Sequence, residues 1–186
     1  MTAQLEHSLR LTKLEWRELE KQTGVRHEYL DGFVYAMAGE SRKHNRIVGN
    51  LYAHLLPIAR ARGCDVFFET VSTEIEGGRS YYYPDLVVTC DPEDNDPYEV
   101  RRPCLIVEVL SPSTAGKDKR EKLKAYTNLP TLERYILIDQ EMRRVEVYRK
   151  HAWNWTYQEL EGDGEFDLPC LGVSLTLEQV YAGLQG

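Results

Sequence analysis

Two stretches decide the reading of this chain: YPDLVVTC at Tyr83–Cys90 and PCLIVEVLSPST at Pro103–Thr114, the second followed by the charged run GKDKREKLKAY at Gly116–Tyr126. Leu86-Val87-Val88 and Leu105-Ile106-Val107 are short apolar runs rich in β-branched residues and bounded by turn signals, which predicts two buried strands. Each carries a carboxylate that an apolar strand gains nothing from. Asp85 stands at the mouth of the first, and Glu108 lies inside the second between Val107 and Val109. A carboxylate in such a setting costs several kcal/mol unless cations or hydrogen-bond donors compensate it. Two of them on neighbouring strands, followed by a lysine-rich segment, suggest a divalent-metal site. The competing reading makes Asp85 a strand cap and pairs Glu108 with an arginine.

The chain of 186 residues is long enough for one domain with a substantial core, and we read residues 1–186 as a single unit. No apolar run approaches the roughly 20 residues that cross a bilayer. The opening MTAQLEHSLRLTKLEW lacks the basic and apolar regions of a signal peptide, so a cytoplasmic location is expected. A net charge of −7 argues against indiscriminate coating of nucleic acid. Local basic clusters remain at Arg42-Lys43-His44-Arg46, at Arg101-Arg102 and along Lys117–Lys124. Cys64, Cys90, Cys104 and Cys170 are scattered, without a C-x-x-C pair. Three of them sit in or beside apolar runs and read as small core residues, and neither structural zinc nor a disulfide framework is expected.

Working outward, Thr12 and Glu15 form a capping box that opens a helix to about Gln22, stopped by Gly24. Asp31-Gly32 between HEYL and FVYAMAG signals a two-residue hairpin whose first arm carries Glu28. Ser41 caps a helix to about Arg62, kinked at Pro57, whose buried stripe Ile47, Val48, Leu51, Leu55, Ile58 and Ala59 points His44 toward the core or a cleft. CDVFFETVSTEIE and SYYYPDLVVTC read as strands joined at Gly77-Gly78, and DPEDNDPYEVRRP as an exposed acidic loop. A helix from Ala115 to Leu129 precedes the buried strand LERYILIDQ. RRVEVYRK and WNWTYQEL alternate like antiparallel strands, and Thr176 with Gln179 caps a short last helix. Helices alternating with mixed strands imply an α/β sandwich around a mixed sheet.

On an α-helical wheel, Ala115, Lys119, Lys122, Leu123, Tyr126 and Leu129 share the sheet-facing side, and Lys117, Arg120, Glu121 and Lys124 the solvent side. Asp118 lies one turn before Lys122 and Tyr126 one turn after it. Two carboxylates and a main-chain carbonyl suit Mg²⁺, a hard cation that also binds phosphate, and a neighbouring lysine suits a developing phosphoryl charge. His44 reads as a hydrogen-bonded core histidine or as a site residue. Ser111 and Ser113 read as turn residues, and Glu69 and Glu74 as surface residues.

Pro84-Asp85 with Glu108 in an apolar strand resembles the PD-(D/E)xK nuclease superfamily. More narrowly, EYLDG, SRKHNRI, YPDLVV, IVEVLSPST, the D-x-x-x-K-x-x-x-Y helix and LERYILID resemble the Uma-type restriction endonuclease family, over about residues 26 to 140. The resemblance implies a restriction-endonuclease-like α/β/α sandwich with a central mixed β-sheet and an endonuclease hydrolysing DNA. It further implies Mg²⁺, with Mn²⁺ able to substitute, held by Asp85, Glu108 and the Val109 carbonyl. Lys122 is then the catalytic cation and Glu28 an accessory acid. The superfamily pattern puts lysine two residues after the glutamate, where this chain has Leu110, so the lysine is displaced onto the next helix and Lys119 rivals Lys122. His44, Asp118 and Tyr126 complete the candidate set. A homodimer is the simplest way to cut two strands with symmetry-related sites. Two other readings stay open here: an inactive nuclease-fold module binding nucleic acid or protein, and a hydrolase of a small phosphorylated molecule.

Overall fold

The computed structural model describes residues 10–112 and 115–184. Helix α1 (Lys13–Thr23) starts at the expected capping box, Thr12 accepting from Glu15 N while the Glu15 carboxylate accepts from Thr12 N at 2.7 Å. It ends at Gly24, whose φ of 67° needs a residue without a Cβ. Strands β1 (His27–Leu30) and β2 (Phe33–Ala36) form the hairpin, with Asp31 and Gly32 both at positive φ as a primed two-residue turn requires. Helix α2 (Arg42–Ala61) is capped by Ser41 and runs through Pro57.

The segments after α2 depart from the sequence reading. CDVFFETVSTEIE is two strands, β3 (Asp65–Phe68) and β4 (Ser72–Ile75), separated where Glu69 takes a left-handed φ of 53°. SYYYPDLVVTC likewise splits into β5 (Ser80–Tyr82) and β6 (Leu86–Thr89), with Pro84-Asp85 at the break. β4 and β5 enter a five-stranded sheet of order β2-β1-β5-β4-β7, where β7 is Glu99–Val100, while β3 and β6 enter a six-stranded sheet of order β11-β10-β9-β8-β6-β3, where β8 is Leu105–Leu110, β9 Arg134–Asp139, β10 Arg144–His151 and β11 Asn154–Glu161. Asp85 therefore stands at the crossing between two sheets. The acidic loop is not wholly exposed either, because β7 (Glu99–Val100) within it is buried and pairs in parallel with β4.

In the larger sheet β8 (Leu105–Leu110) runs antiparallel to β6 and parallel to β9 (Arg134–Asp139), with β10 (Arg144–His151) and β11 (Asn154–Glu161) beyond. β12 (Glu165–Leu168) and β13 (Val173–Thr176), which lack a sequence expectation, form a small hairpin before α4 (Leu177–Val180). Alternation along β8 builds two cores, as a pleated strand must. Leu105, Val107 and Val109 pack with Ile47, Leu51 and Leu55 of α2. Ile106 and Leu110 pack with Tyr126 and Leu129 on the opposite side. Helices thus cover both faces of the sheet, the α/β/α arrangement expected, and Glu108 points to the side opposite α2. A third cluster puts Trp16 of α1, fully buried, against Tyr29, Tyr81 and Tyr83.

The segment after β8 is not one regular helix. Helix α3 has an α turn at Ala115–Lys117, a π turn at Asp118–Lys122 and a second α segment at Leu123–Thr127. The cysteines also depart from expectation. Cys64 pairs with Cys90 and Cys104 with Cys170 as disulfides, because the ends of β3, β6 and β8 meet at one end of the sheet. Linear spacing carries no trace of that convergence. Ser113 lies outside the described residues. Among the described residues no helix is long and apolar enough to cross a membrane.

Candidate active site

Antiparallel pairing of β6 with β8 sets Leu86 opposite Val107, which brings the start of one strand beside the end of the other. Asp85 and Glu108 therefore come to the same end of the sheet. The Val109 amide donates to Asp85 Oδ2 at 2.6 Å, and His44 Nε2 lies 3.0 Å from the same oxygen. His44 reaches it from the first turn of α2, where Ser41 accepts from the His44 amide. Glu108, 2% exposed, receives Lys122 Nζ and the Tyr126 hydroxyl, both at 3.0 Å from Oε1.

Lys122 is the hub. Its ammonium is also 3.2 Å from Glu28 and 3.1 Å from Asp118, so three carboxylates surround one buried cation. Lys117 pairs with the other oxygen of Glu28. These groups line a cavity of about 250 Å³, together with Asp85, Val109, Glu40, Tyr35 and Tyr83.

The electrostatics follow from this crowding. Burial pushes the Glu108 pKa well above the usual carboxylate value, and Asp85 and Asp118 push it further, against the opposing pull of Lys122. Burial acts to lower the Lys122 pKa, but Glu108, Glu28 and Asp118 outweigh it and hold the ammonium protonated. Glu28 is lowered despite its burial, because Lys122 and Lys117 flank it. His44 is raised against the effect of burial by its bond to Asp85. Negative charge is in excess here. Glu108 is the group whose ionisation is least compensated.

Of the residues singled out in the sequence, Asp85, Glu108, Val109, Lys122, Glu28 and Asp118 line this cavity, and His44 and Tyr126 contact its carboxylates directly. Lys119 does not join them; it pairs with the buried Glu146 of β10. Lys117, assigned to the solvent side by the wheel, instead lines the cavity. The π turn explains the placement of Lys117, whereas Lys119 keeps the sheet-facing side the wheel gave it, toward β10 and away from the cavity. One extra residue per turn shifts the helix phase, so a 3.6-residue wheel misplaces side chains around it. Sequence reasoning also missed Glu40, ahead of the Ser41 cap, and Tyr135, whose buried hydroxyl donates to the Asp118 carbonyl at 3.1 Å. Neither carries a local signal.

A second cavity, of about 570 Å³, opens beside the first and shares Asp85, Glu40, Met37 and Ala38 with it. Arg26, Arg42 and Arg46 line it with Asn45 and Glu69. Glu69 is not a plain surface residue, since its carbonyl accepts from the Arg26 guanidinium.

A mixed sheet covered by helices, delivering carboxylates from two central strands to a cleft with a buried lysine, defines a nuclease-like α/β protein. The chain belongs to the Uma2 family, described as "Putative restriction endonuclease", whose profile matches residues 13–178. It is 31% identical over 173 residues to the uncharacterized protein slr1290 of Synechocystis sp., covering 92% of this chain and 90% of that one. It is 38% identical over 158 residues to the uncharacterized protein sll1609 of the same organism, covering 82% and 89%. In fold it matches the crystal structure of a putative nuclease belonging to DUF820 from Anabaena variabilis. The TM-score is 0.69 at 19% identity, over 86% of this chain and 92% of that one.

Proposed function

We propose that the chain is a divalent-metal-dependent endonuclease that hydrolyses DNA phosphodiester bonds. The observation that carries this reading is the contact of Lys122 with Glu108 in a cavity shared with Asp85. The donor set fits a hard cation: its oxygens are carboxylate and carbonyl, and the Glu108 charge is under-compensated without one. Asp85, Glu108 and the Val109 carbonyl would hold Mg²⁺, or Mn²⁺ in its place, which when bound supplies Lewis-acid polarisation of the phosphate and neutralises charge.

The side chains do the rest. Lys122 offers a fixed ammonium for the charge that develops on the phosphoryl oxygens, and it costs no reorganisation because Glu28 and Asp118 already orient it. His44 and the Val109 amide fix the Asp85 carboxylate, and Tyr126 fixes Glu108. The cavity walled by Arg26, Arg42 and Arg46 offers cations to the phosphates flanking the scissile bond. Two copies of the chain would cut the two strands of a duplex.

The test is cleavage of plasmid DNA by wild type and Lys122→Ala, each in Mg²⁺ and in EDTA, with single-stranded RNA and a small phosphodiester as parallel substrates. Mg²⁺-dependent nicking lost in Lys122→Ala supports the proposal. Turnover of the small phosphodiester alone would replace it with a small-molecule hydrolase. Binding of DNA without cleavage in any metal would replace it with an interaction module.

A further inference from the structure

At the other end of β6 and β8 from Asp85 and Glu108, four cysteines from four segments meet. Cys64 follows α2, Cys90 follows β6, Cys104 precedes β8, and Cys170 sits in the short 3₁₀ turn Pro169–Leu171 between β12 and β13. Successive members are 26, 14 and 66 residues apart in sequence. In the described structure they are two adjacent pairs, Cys64 with Cys90 and Cys104 with Cys170. The pairs themselves are in contact: Cys90 Sγ lies 3.8 Å from Cys104 Sγ, and the sulfurs of Cys90, Cys104 and Cys170 are all within 4.8 Å of one another. Cys64 is bonded to Cys90 and lies outside that three-sulfur group.

We propose that in the reduced protein these four cysteines are one tetrahedral thiolate site for a zinc-type divalent ion. With Zn–S bonds of about 2.3 Å, the sulfurs of a tetrahedron stand about 3.8 Å apart. The Cys90–Cys104 separation has that value already. To bring the remaining edges to it, the two bonded pairs would open and Cys64 would turn inward by side-chain rotation. The spacing suits one ion; a cluster of several irons needs its ligands farther apart. Backbone placement is imposed by the sheet. Asp65 is in register with Thr89, so Cys64 and Cys90 fall side by side one step beyond, and the Cys104 amide donates to the Val88 carbonyl on the same strand. Cys64 and Cys104 are buried, whereas Cys90 and Cys170 are only partly covered, which leaves a path for the ion.

Charge also fits. Four thiolates around a divalent ion carry two surplus negative charges. The Arg62 guanidinium, two residues before Cys64, lies against Gly172, two residues after Cys170, so closely that any Cβ there would collide with it. The chemistry balances with a thiol or phosphine reductant. Each disulfide takes two electrons and two protons to give two thiols, and zinc then displaces four protons from the four thiols. The site would clamp β3, β6 and β8 to the C-terminal hairpin.

The experiment uses the full chain, produced in a reducing cytoplasm and purified without chelator. Zinc content is measured with thiols counted under denaturing conditions, and the protein is then reconstituted with Co²⁺ under reductant. The expected result is one zinc and four thiols per chain. With cobalt, a thiolate-to-metal charge-transfer band and the intense visible bands of tetrahedral Co²⁺ should appear. Cys170→Ser, in the turn outside the main sheet, should lose the charge-transfer intensity of one ligand and release zinc to a chelator faster. Glu108→Gln should keep the bound zinc and, with cobalt, the same absorption bands, which separates this site from the carboxylate cavity. Two disulfides and no zinc, or four thiols that bind neither ion in titration, would overturn the proposal.

Discussion

Replacing Glu108 by Gln tests the site through folding as well as catalysis. The carboxylate is 2% exposed, and its pKa is raised by burial and by the neighbouring Asp85 and Asp118. A carboxylate whose folded pKa exceeds its unfolded one destabilises the fold once pH passes the unfolded value near 4. The penalty is about 1.4 kcal/mol for every pH unit that separates the two values. At neutral pH the metal-free protein therefore carries that penalty, and it recovers stability as pH falls toward mildly acidic values. Gln keeps the shape, and its carbonyl oxygen can still accept from Tyr126 and Lys122. Lys122 is not stranded, because Glu28 and Asp118 remain 3.2 and 3.1 Å away. For a domain of this size about 1 kcal/mol moves Tm by roughly 2–4 °C. In EDTA at pH 7, Tm of Glu108→Gln should thus rise by about 3–6 °C for every pH unit of separation that the substitution removes. Wild type should regain the gap in Mg²⁺, where an ion at 100 times its Kd contributes about 2.7 kcal/mol, and the variant should not respond. Thermal melts of both proteins from pH 5 to 8, with and without Mg²⁺, read this directly. A lower Tm for Glu108→Gln in EDTA, with no Mg²⁺ response in wild type, would make Glu108 one half of a structural ion pair and refute the reasoning.

The converse substitution should have the opposite sign. Lys122→Met leaves Glu28, Glu108 and Asp118 without their shared cation and should cost about 3–5 kcal/mol in denaturant melts along with all cleavage, whereas Lys119→Ala, whose partner is Glu146, should leave cleavage rates nearly unchanged. Arg42→Ala and Arg46→Ala should each lower the salt dependence of DNA affinity, reducing the log–log slope by about one in fluorescence titrations, equally for all sequences. Glu99 is 3% exposed; burial opposes its charge, but Lys13 and Arg101 hold its pKa below the ordinary value. Its stabilisation is therefore complete above the unfolded pKa and lost as pH falls through the folded one. Glu99→Gln should be destabilised by about 2–3 kcal/mol at pH 7 in urea melts, and less so at acidic pH.

Much of this protein is written locally. The capping boxes at Thr12 and Thr176, the Asp31-Gly32 turn and the apolar stripe of α2 depend on neighbours within a few residues, and each is legible as such. So are Asp85 and Glu108, because a carboxylate in an apolar strand is anomalous in any fold. The grouping of Glu28, Glu108 and Lys122 is legible only through family resemblance, since residues 28, 108 and 122 share no local period. Tertiary structure decided the remainder. The breaks at Glu69 and at Pro84-Asp85 divide two apparent strands between two sheets, a choice set by pairing partners distant in the chain. The π turn at Asp118–Lys122 brings Lys117 into the cavity, and the contacts that hold it, Tyr135 to the Asp118 carbonyl and Lys122 to three carboxylates, come largely from other elements. The four cysteines have gaps of up to 66 residues between successive members and meet because antiparallel strands end together. Periodicity and spacing report what one segment can do alone; which segments meet is settled by the packing of the whole sheet.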